Sequence, residues 1–510
     1  MSTVGGRVNP EMRWIALFRG AKVARAAGRP GEAWTSLAAA LEVIETLRAG
    51  IEPSDEAKAG FMEDKQEAYA EAVDLLVELG RTEEALEVSE RARARALLDL
   101  LGGATVRPPG LDEIREQARR HGAAILEYST GRERSVVFAI GPQGTVRSAP
   151  IAAGAPDLAR RIAALRRALA GDGAVVRTTG GRGAAEAALR ELYALLVAPV
   201  AGALPAGAGG RVIVVPHGPL FLLPFAGLVA PDGSYLVERF ALSYTPSVGT
   251  LREAAARRSH ARRRPRGFLV VGNPRGISGS GQEGASVLPD LPGAEAEARQ
   301  VAALIAPPEV TLLTGPAARE DRVRALAPGR SVVHIAAHAV VREDAPLASY
   351  LALVAAPPAD VATDGVPDAR SDGRLTAREV LDIPLDADLV VLSGCQTGLG
   401  AISGDGVSGL ARAFLHAGAA SLVVSLWRVA DVVGHHVMVR FQRALQVEGR
   451  DAADALRQAQ LDTIDALRRG ALRDQAGRPI AESPVYWAPF VLVGEPAAAT
   501  GTNPPDGRPS

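Results

Sequence analysis

Between residues 211 and 494 the chain repeats one pattern. A short apolar run, rich in β-branched residues, is followed by a turn and then by a stretch with helical spacing. The runs include "VIVV", "LVVG", "VVHI", "LVVL", "SLVV" and "FVLV". Strands that alternate with helices in this way build a mostly parallel sheet wrapped by helices. Such a sheet needs a sizeable core. A hydrophobic content of 47% against 23% charged residues, over 510 positions, can supply it and excludes wholesale disorder. The length suits two to four domains.

Composition narrows the function classes. The formal net charge is -1, so no electrostatic argument favours nucleic acid or an anionic membrane as a partner. The most apolar stretch, "RVIVVPHGPLFLLPFAGLVA", is interrupted by prolines and a histidine and reads as strand, turn, strand rather than a membrane span. The opening "MSTVGGRVNPEMRW" lacks the basic and apolar regions of a signal peptide. A single cysteine excludes an intrachain disulfide and fits a reducing compartment. A cytoplasmic location is the resulting expectation.

Ahead of the strand-rich part, residues 13–105 read as helices. "GRPGEAW" (28–34) recurs as "GRTEEAL" (80–86): a glycine closes one helix, and an alanine sits where the next packs on it. This is the phrase of a tetratricopeptide-like hairpin, and two units are too few for a free-standing solenoid. They are read either as a brace for the next domain or as a partner-binding surface. Residues 1–12 are expected to be disordered, 103–118 to form a linker, and the tail 495–510 to be disordered. In 119–210, strands with glycine turns precede two helical segments, joined by a mobile loop, "GDGAVVRTTGGRG".

A histidine and the only cysteine occupy matching places. Two residues separate the strand "SVVHI" from His338, and two separate "LVVL" from Cys395. Functional groups in open α/β sheets gather beyond the carboxyl ends of the strands. If the two strands are neighbours, imidazole and thiol project into one crevice, where the imidazole can take the thiol proton. His334, inside its strand, reads as a packed residue. His435 and His436 read as the start of a helix. A zinc set drawn from His334, His338, Cys395 and this pair lacks the short-spaced ligands that make zinc motifs specific, so no metal and no cofactor is expected.

With these phrases in order, the chain resembles the CHAT-domain proteins, a bacterial caspase-like cysteine peptidase family related to caspases, separases and gingipains and often joined to tetratricopeptide repeats. The resemblance runs through "VIVVPHGPLFLLPFAGL", with His217 where the family usually has aspartate, and through "LVVGNP", "LPDLPGAEAEARQVAALI", "VVHIAAHAVV", "DLVVLSGCQTGLG", "SLWRVAD" and "SPVYWAPFVLVGE". It implies an α/β caspase-like fold after a tetratricopeptide-like region, with 119–210 as a degenerate peptidase-like part and 211–494 as the CHAT domain. It implies His338 as general base and Cys395 as nucleophile. The backbone N–H groups of Cys395 and Ala339 would form the oxyanion hole, Ala339 standing where glycine is usual. A position needing positive φ there would cost alanine about 1 kcal/mol or more.

The resemblance also implies a regulated endopeptidase with one or a few protein substrates, for example a gasdermin-like protein in bacterial defence or programmed death. The alternatives are a catalytically weak scaffold that binds partners and a thiol hydrolase of small molecules. Ser393, Asp431, Asp405, Asn273 and Trp427 are candidates for the first substrate pocket, which is expected to take arginine or lysine. In a competing reading, Asp431 caps the helix that begins near it, and apolar side chains such as Leu426 and Trp427 line the pocket for leucine or methionine. The segments 273–290 and 356–374 are composed as mobile loops, either plain surface or, for the second, a processing site.

Overall fold

The computed structural model describes residues 9–49, 65–93, 107–170, 179–261, 267–275, 278–279, 286–342, 344–356, 371–394, 402–403, 406–407 and 409–496. Its centre is one sheet of eleven strands: β1 (Ala123–Thr130), β2 (Ser135–Ile140), β3 (Val146–Ile151), β4 (Gly210–Val215), β5 (Phe240–Tyr244), β6 (Phe268–Pro274), β7 (Val310–Gly315), β8 (Val332–Ala336), β9 (Leu389–Leu392), β10 (Ser421–Ser425) and β11 (Phe490–Gly494). Their order across the sheet is β3-β2-β1-β4-β5-β11-β10-β9-β8-β6-β7. Neighbours are parallel except at β1–β2, β2–β3 and β10–β11. This is the mostly parallel, helix-flanked sheet expected from the strand–helix alternation.

The main helices are α1 (Pro10–Ala26), α2 (Pro30–Ala49), α3 (Gln66–Glu78), α4 (Thr82–Arg91), α5 (Leu111–His121), α6 (Ala155–Ala170), α7 (Thr179–Leu196), α8 (Val248–Ala261), α9 (Pro292–Ala302), α10 (Asp431–Gln446) and α11 (Ala452–Arg468). In β1 every residue is buried, because both faces are covered. Ala123 and Ile125 share a core with the helices α1 to α5, while Ala124, Leu126 and Tyr128 share one with α6 and α7. The period-two alternation of side chains thus divides one strand between two cores. The N-terminal helices lie on the sheet, as a brace would.

Three stretches differ from the sequence expectation. Helix α1 starts at Pro10, inside the stretch expected to be disordered. The Asn9 side chain accepts from Glu11 N at 3.0 Å, and proline takes the first helical position. The expected linker, 103–118, contains most of α5. Its charged residues hid the helix, yet they suit one: Asp112 and Glu113 sit in the first turn, Arg119, Arg120 and His121 in the last, and left-handed Gly122 closes it. Part of the loop expected to be mobile, Thr179 to Gly183, begins α7.

A buried charged network fastens α4 to the sheet. Glu90, at the end of α4, accepts from Val248 N (2.9 Å) and Gly249 N (3.3 Å) at the start of α8. Arg93 donates to Glu127 Oε1 of β1 at 3.1 Å and to the Pro216 carbonyl beyond β4 at 3.2 Å. Burial, with Glu127 close by, pushes the Glu90 carboxyl well above its usual range. His217 follows Pro216. Burial first, then Arg93, pulls its imidazole down to about 3, so it is neutral, and its Nδ1 accepts from Thr130 N at 2.9 Å. It works as a structural acceptor. Replacing Arg93 with Met would leave Glu127 buried without its cation. The expected destabilisation is about 3–5 kcal/mol, read from the midpoint of chemical denaturation. A shift below about 1 kcal/mol would show that the network does not hold the helices on the sheet.

Candidate active site

β8 and β9 are parallel neighbours, with Val332 opposite Leu389 and Ile335 opposite Leu392. Ser393 N donates to the Ile335 carbonyl at 2.8 Å and carries the register past the end of β9. His338 stands three positions beyond Ile335, as Cys395 does beyond Leu392. The condition set by the sequence, that the two strands be neighbours, is met. Cys395 and Asp405 lie outside the described residues, as do residues 357–370 of the segment between histidine and cysteine.

His338 is partly exposed, and its Nε2 lies 2.8 Å from the Pro289 carbonyl. A carbonyl oxygen only accepts, so Nε2 carries the hydrogen and a neutral ring keeps its lone pair on Nδ1. The next residue, Ala339, opens a short strand, Ala339–Val340, paired with Tyr350–Ala352. Among the described residues the one non-glycine position with positive φ is Asn273, so Ala339 bears no left-handed strain.

Asn273 ends β6 with φ 47°. Asparagine tolerates this conformation better than most residues. It was expected to wall the pocket, but it is fully buried. Its Oδ1 accepts from Leu291 N at 2.6 Å, and its Nδ2 donates to Glu295 at 3.1 Å. The side chain therefore ties down the loop two residues after Pro289, whose carbonyl orients His338.

A crevice opens beside His338, and its lining includes Leu291, Glu297, His338, Ser393, Asp431 and His435. Asp431 lines it, but it does not cap its own helix. It occupies the first helical position of α10, where Ala430 is the cap, and it faces the start of α9. There its Oδ2 accepts from Gly293 N at 3.0 Å. A Cβ on Gly293 would lie 2.0 Å from that oxygen, so only glycine allows the approach. Trp427 does not reach the crevice. It is buried, and its Nε1 donates to the Val485 carbonyl at 2.9 Å, because the chain turns after β10 into the core under Pro484–Trp487. Leu426 is buried as well.

Sequence reasoning missed Glu297. This carboxylate of α9 is almost wholly buried. Its Oε1 accepts from His334 Nε2 at 2.7 Å, and its Oε2 accepts from Ser393 Oγ at 3.0 Å. His334 Nδ1 accepts in turn from Gln442 Nε2 at 3.3 Å. The Gln442 oxygen is engaged by Gln446 Nε2 at 3.4 Å, which leaves the amide nitrogen to face the imidazole. The signal was present. Glu297 falls on the helical stripe of Ala294, Ala298 and Val301, where a charge is out of place unless the fold uses it.

The CHAT-domain family profile matches residues 186–495. The chain belongs to the CHAT-domain family. Tetratricopeptide repeat protein 28 of Homo sapiens is 31% identical over 341 residues, which is 60% of this chain and 13% of that protein. The Mus musculus protein of the same name is 25% identical over 610 positions, 92% of this chain and 24% of that one. The chain thus spans at most about a quarter of these relatives. Among solved structures, the Saccharomyces cerevisiae separase–securin complex matches with TM-score 0.56 at 9% identity, covering 92% of this chain and 37% of that one. A second structure of that complex gives 0.55 at 10% identity, over 92% and 38%. The architecture is the caspase-like α/β fold behind a tetratricopeptide-like helical region. Among the described residues, no helix is long and apolar enough to cross a membrane.

In this CHAT domain the segment between His338 and Cys395 returns to the core at Gly373. Its N–H donates to Glu320 Oε2 at 2.9 Å. Burial, then the nearby Glu379 carboxylate, raises Glu320 to about 7 from 4.5. A carboxyl raised on folding favours the folded state fully below its unfolded pKa, and that contribution is lost as pH rises through the folded value. The Glu320→Gln variant should therefore melt close to the wild type near pH 4.5 and above it near pH 8, because the amide escapes the penalty of ionising. A melting difference that stays constant across this range would contradict the assignment.

Proposed function

We infer that the protein is a cysteine endopeptidase with His338 as base and Cys395 as nucleophile. The observation that carries this reading is the in-register pairing of β8 with β9, together with the Pro289 carbonyl that leaves His338 Nδ1 as the basic nitrogen. Membership of the CHAT-domain family and the caspase-like fold support it. In the reaction, Nδ1 takes the Sγ proton, and the thiolate adds to the scissile carbonyl. The backbone N–H groups of Cys395 and Ala339 stabilise the oxyanion. Collapse of the adduct expels the amine, which leaves with the proton held by His338. Water then releases the acyl group from Sγ and restores the thiol.

The proposal extends to a cytoplasmic enzyme that a partner or signal switches on, with one or a few protein substrates. A gasdermin-like pore-forming protein, cleaved in bacterial defence or programmed death, is the substrate the family resemblance suggests. The scaffold reading keeps one argument in its favour: the curated relatives are named for their repeats rather than for a peptidase activity.

Mass spectrometry of new N-termini after incubation with a denatured proteome tests the chemistry. The full-length protein should produce cleavages that both Cys395→Ala and His338→Ala reduce by at least about a thousandfold. Cleavage undiminished in Cys395→Ala would overturn the peptidase reading. Without an activator the wild-type rate should be low. Cleavage within 356–374 should raise it, the two fragments staying associated through the shared sheet. Full activity of the intact chain on generic substrates would contradict gating.

A further inference from the structure

The crevice beside His338 holds two carboxylates, Glu297 and Asp431, and no arginine or lysine among its described lining residues. They differ in setting. Asp431 is exposed at the rim, and one of its oxygens is committed to Gly293 N. Glu297 is 3% exposed, and its hydrogen-bond partners among the described residues are Ser393 and His334 rather than an arginine or lysine. Ser393 is a hydroxyl. His334 donates from Nε2, and its Nδ1 lies 3.3 Å from Gln442 Nε2. A buried carboxylate is costly without a cation, and the described neighbours of Glu297 include no guanidinium or ammonium. Each carboxylate oxygen receives one hydrogen bond and keeps a further acceptor position.

We propose that Glu297 is the specificity-determining residue of this site and selects a substrate with arginine or lysine immediately before the scissile bond. The proposal rests on the cysteine peptidase reading and deepens it. His334 lies in β8, the strand that leads to His338, and Ser393 just past the end of β9, so the carboxylate that reads the substrate cation is held by the ends of the same two strands. The incoming guanidinium or ammonium supplies a permanent positive charge to this carboxylate, and Asp431 adds attraction at the entrance. An aspartate or glutamate at the same substrate position would meet two carboxylates and no arginine or lysine among the described lining residues. The charge pairing belongs to the bound complex, so it adds to substrate selection rather than to the stability of the free protein.

The test uses full-length protein and peptidyl acyloxymethyl ketones that differ only in the first residue: arginine, lysine, leucine, methionine or aspartate. Rates of Cys395 labelling are read by intact-mass spectrometry, so the ratio between probes within one variant is independent of that variant's overall reactivity. In the wild type, the arginine and lysine probes should react at least about tenfold faster than the leucine probe, with aspartate slowest. In E297Q that ratio should fall to about one, and in E297D, which keeps the charge on a shorter arm, it should stay above about threefold. E297D keeps the test decisive if E297Q does not fold. A wild-type preference for leucine or methionine would overturn the proposal while leaving the peptidase reading intact, as would a basic preference that survives in E297Q. Labelling by no peptidyl probe, before or after cleavage within 356–374, with iodoacetamide still reaching Cys395, would overturn the peptidase reading and this proposal with it.

Discussion

The parallel pairing of β8 with β9 is the constraint on which the candidate site depends. Backbone hydrogen bonds fix which residues stand opposite one another, and a slip of one position would turn every side chain to the other face. With Ile335 opposite Leu392, the chain leaves both strands at the same level. His338 follows three positions after Ile335, and the Pro289 carbonyl then orients its ring. The carboxylate of Glu297 repeats the constraint in side chains, bonding His334 within β8 and Ser393 just past β9. A shift of either strand would break one of these bonds and strand a buried charge.

Around this pairing the fold supplies support at increasing distance. Asn273 uses a left-handed backbone and both ends of its amide to hold the loop that presents the Pro289 carbonyl to His338. Asp431 and Gly293 join the starts of α10 and α9, the helix that carries Glu297. Farther away, Glu90, Arg93 and Glu127 bury charge between the N-terminal helices and β1. The tetratricopeptide-like region is thereby coupled to the same sheet that carries the candidate dyad. A partner that engaged those helices would act on a body continuous with the site.

The strands of the parallel sheet and the place of His338 just past β8 were legible in the sequence because apolar β-branched runs and their ends are local patterns. The helical hairpins were legible from a repeated phrase. Helix α5 was not, since a charged composition concealed its caps and its buried Ile114 and Ala118. The supporting shell was harder still. A backbone carbonyl such as that of Pro289 has no sequence signature. The bond from Gly293 to Asp431 joins residues far apart in the chain, and nothing local announces it. Glu297 lies between these cases: its charge on an apolar stripe was visible, while its partners His334 and Ser393 were known only once the strands had been placed.

The central claim, that His338 is oriented to take the proton of Cys395, is tested most directly by the rate at which iodoacetamide alkylates the single cysteine at pH 6.5. An ordinary thiol, with pKa about 8.5, is only about 1% thiolate there. If His338 serves as the base, the wild type should react at least about tenfold faster than His338→Ala. Pro289 acts through its backbone, so loosening its loop with Asn273→Ala should give an intermediate rate. Equal rates in the wild type and His338→Ala would contradict the account.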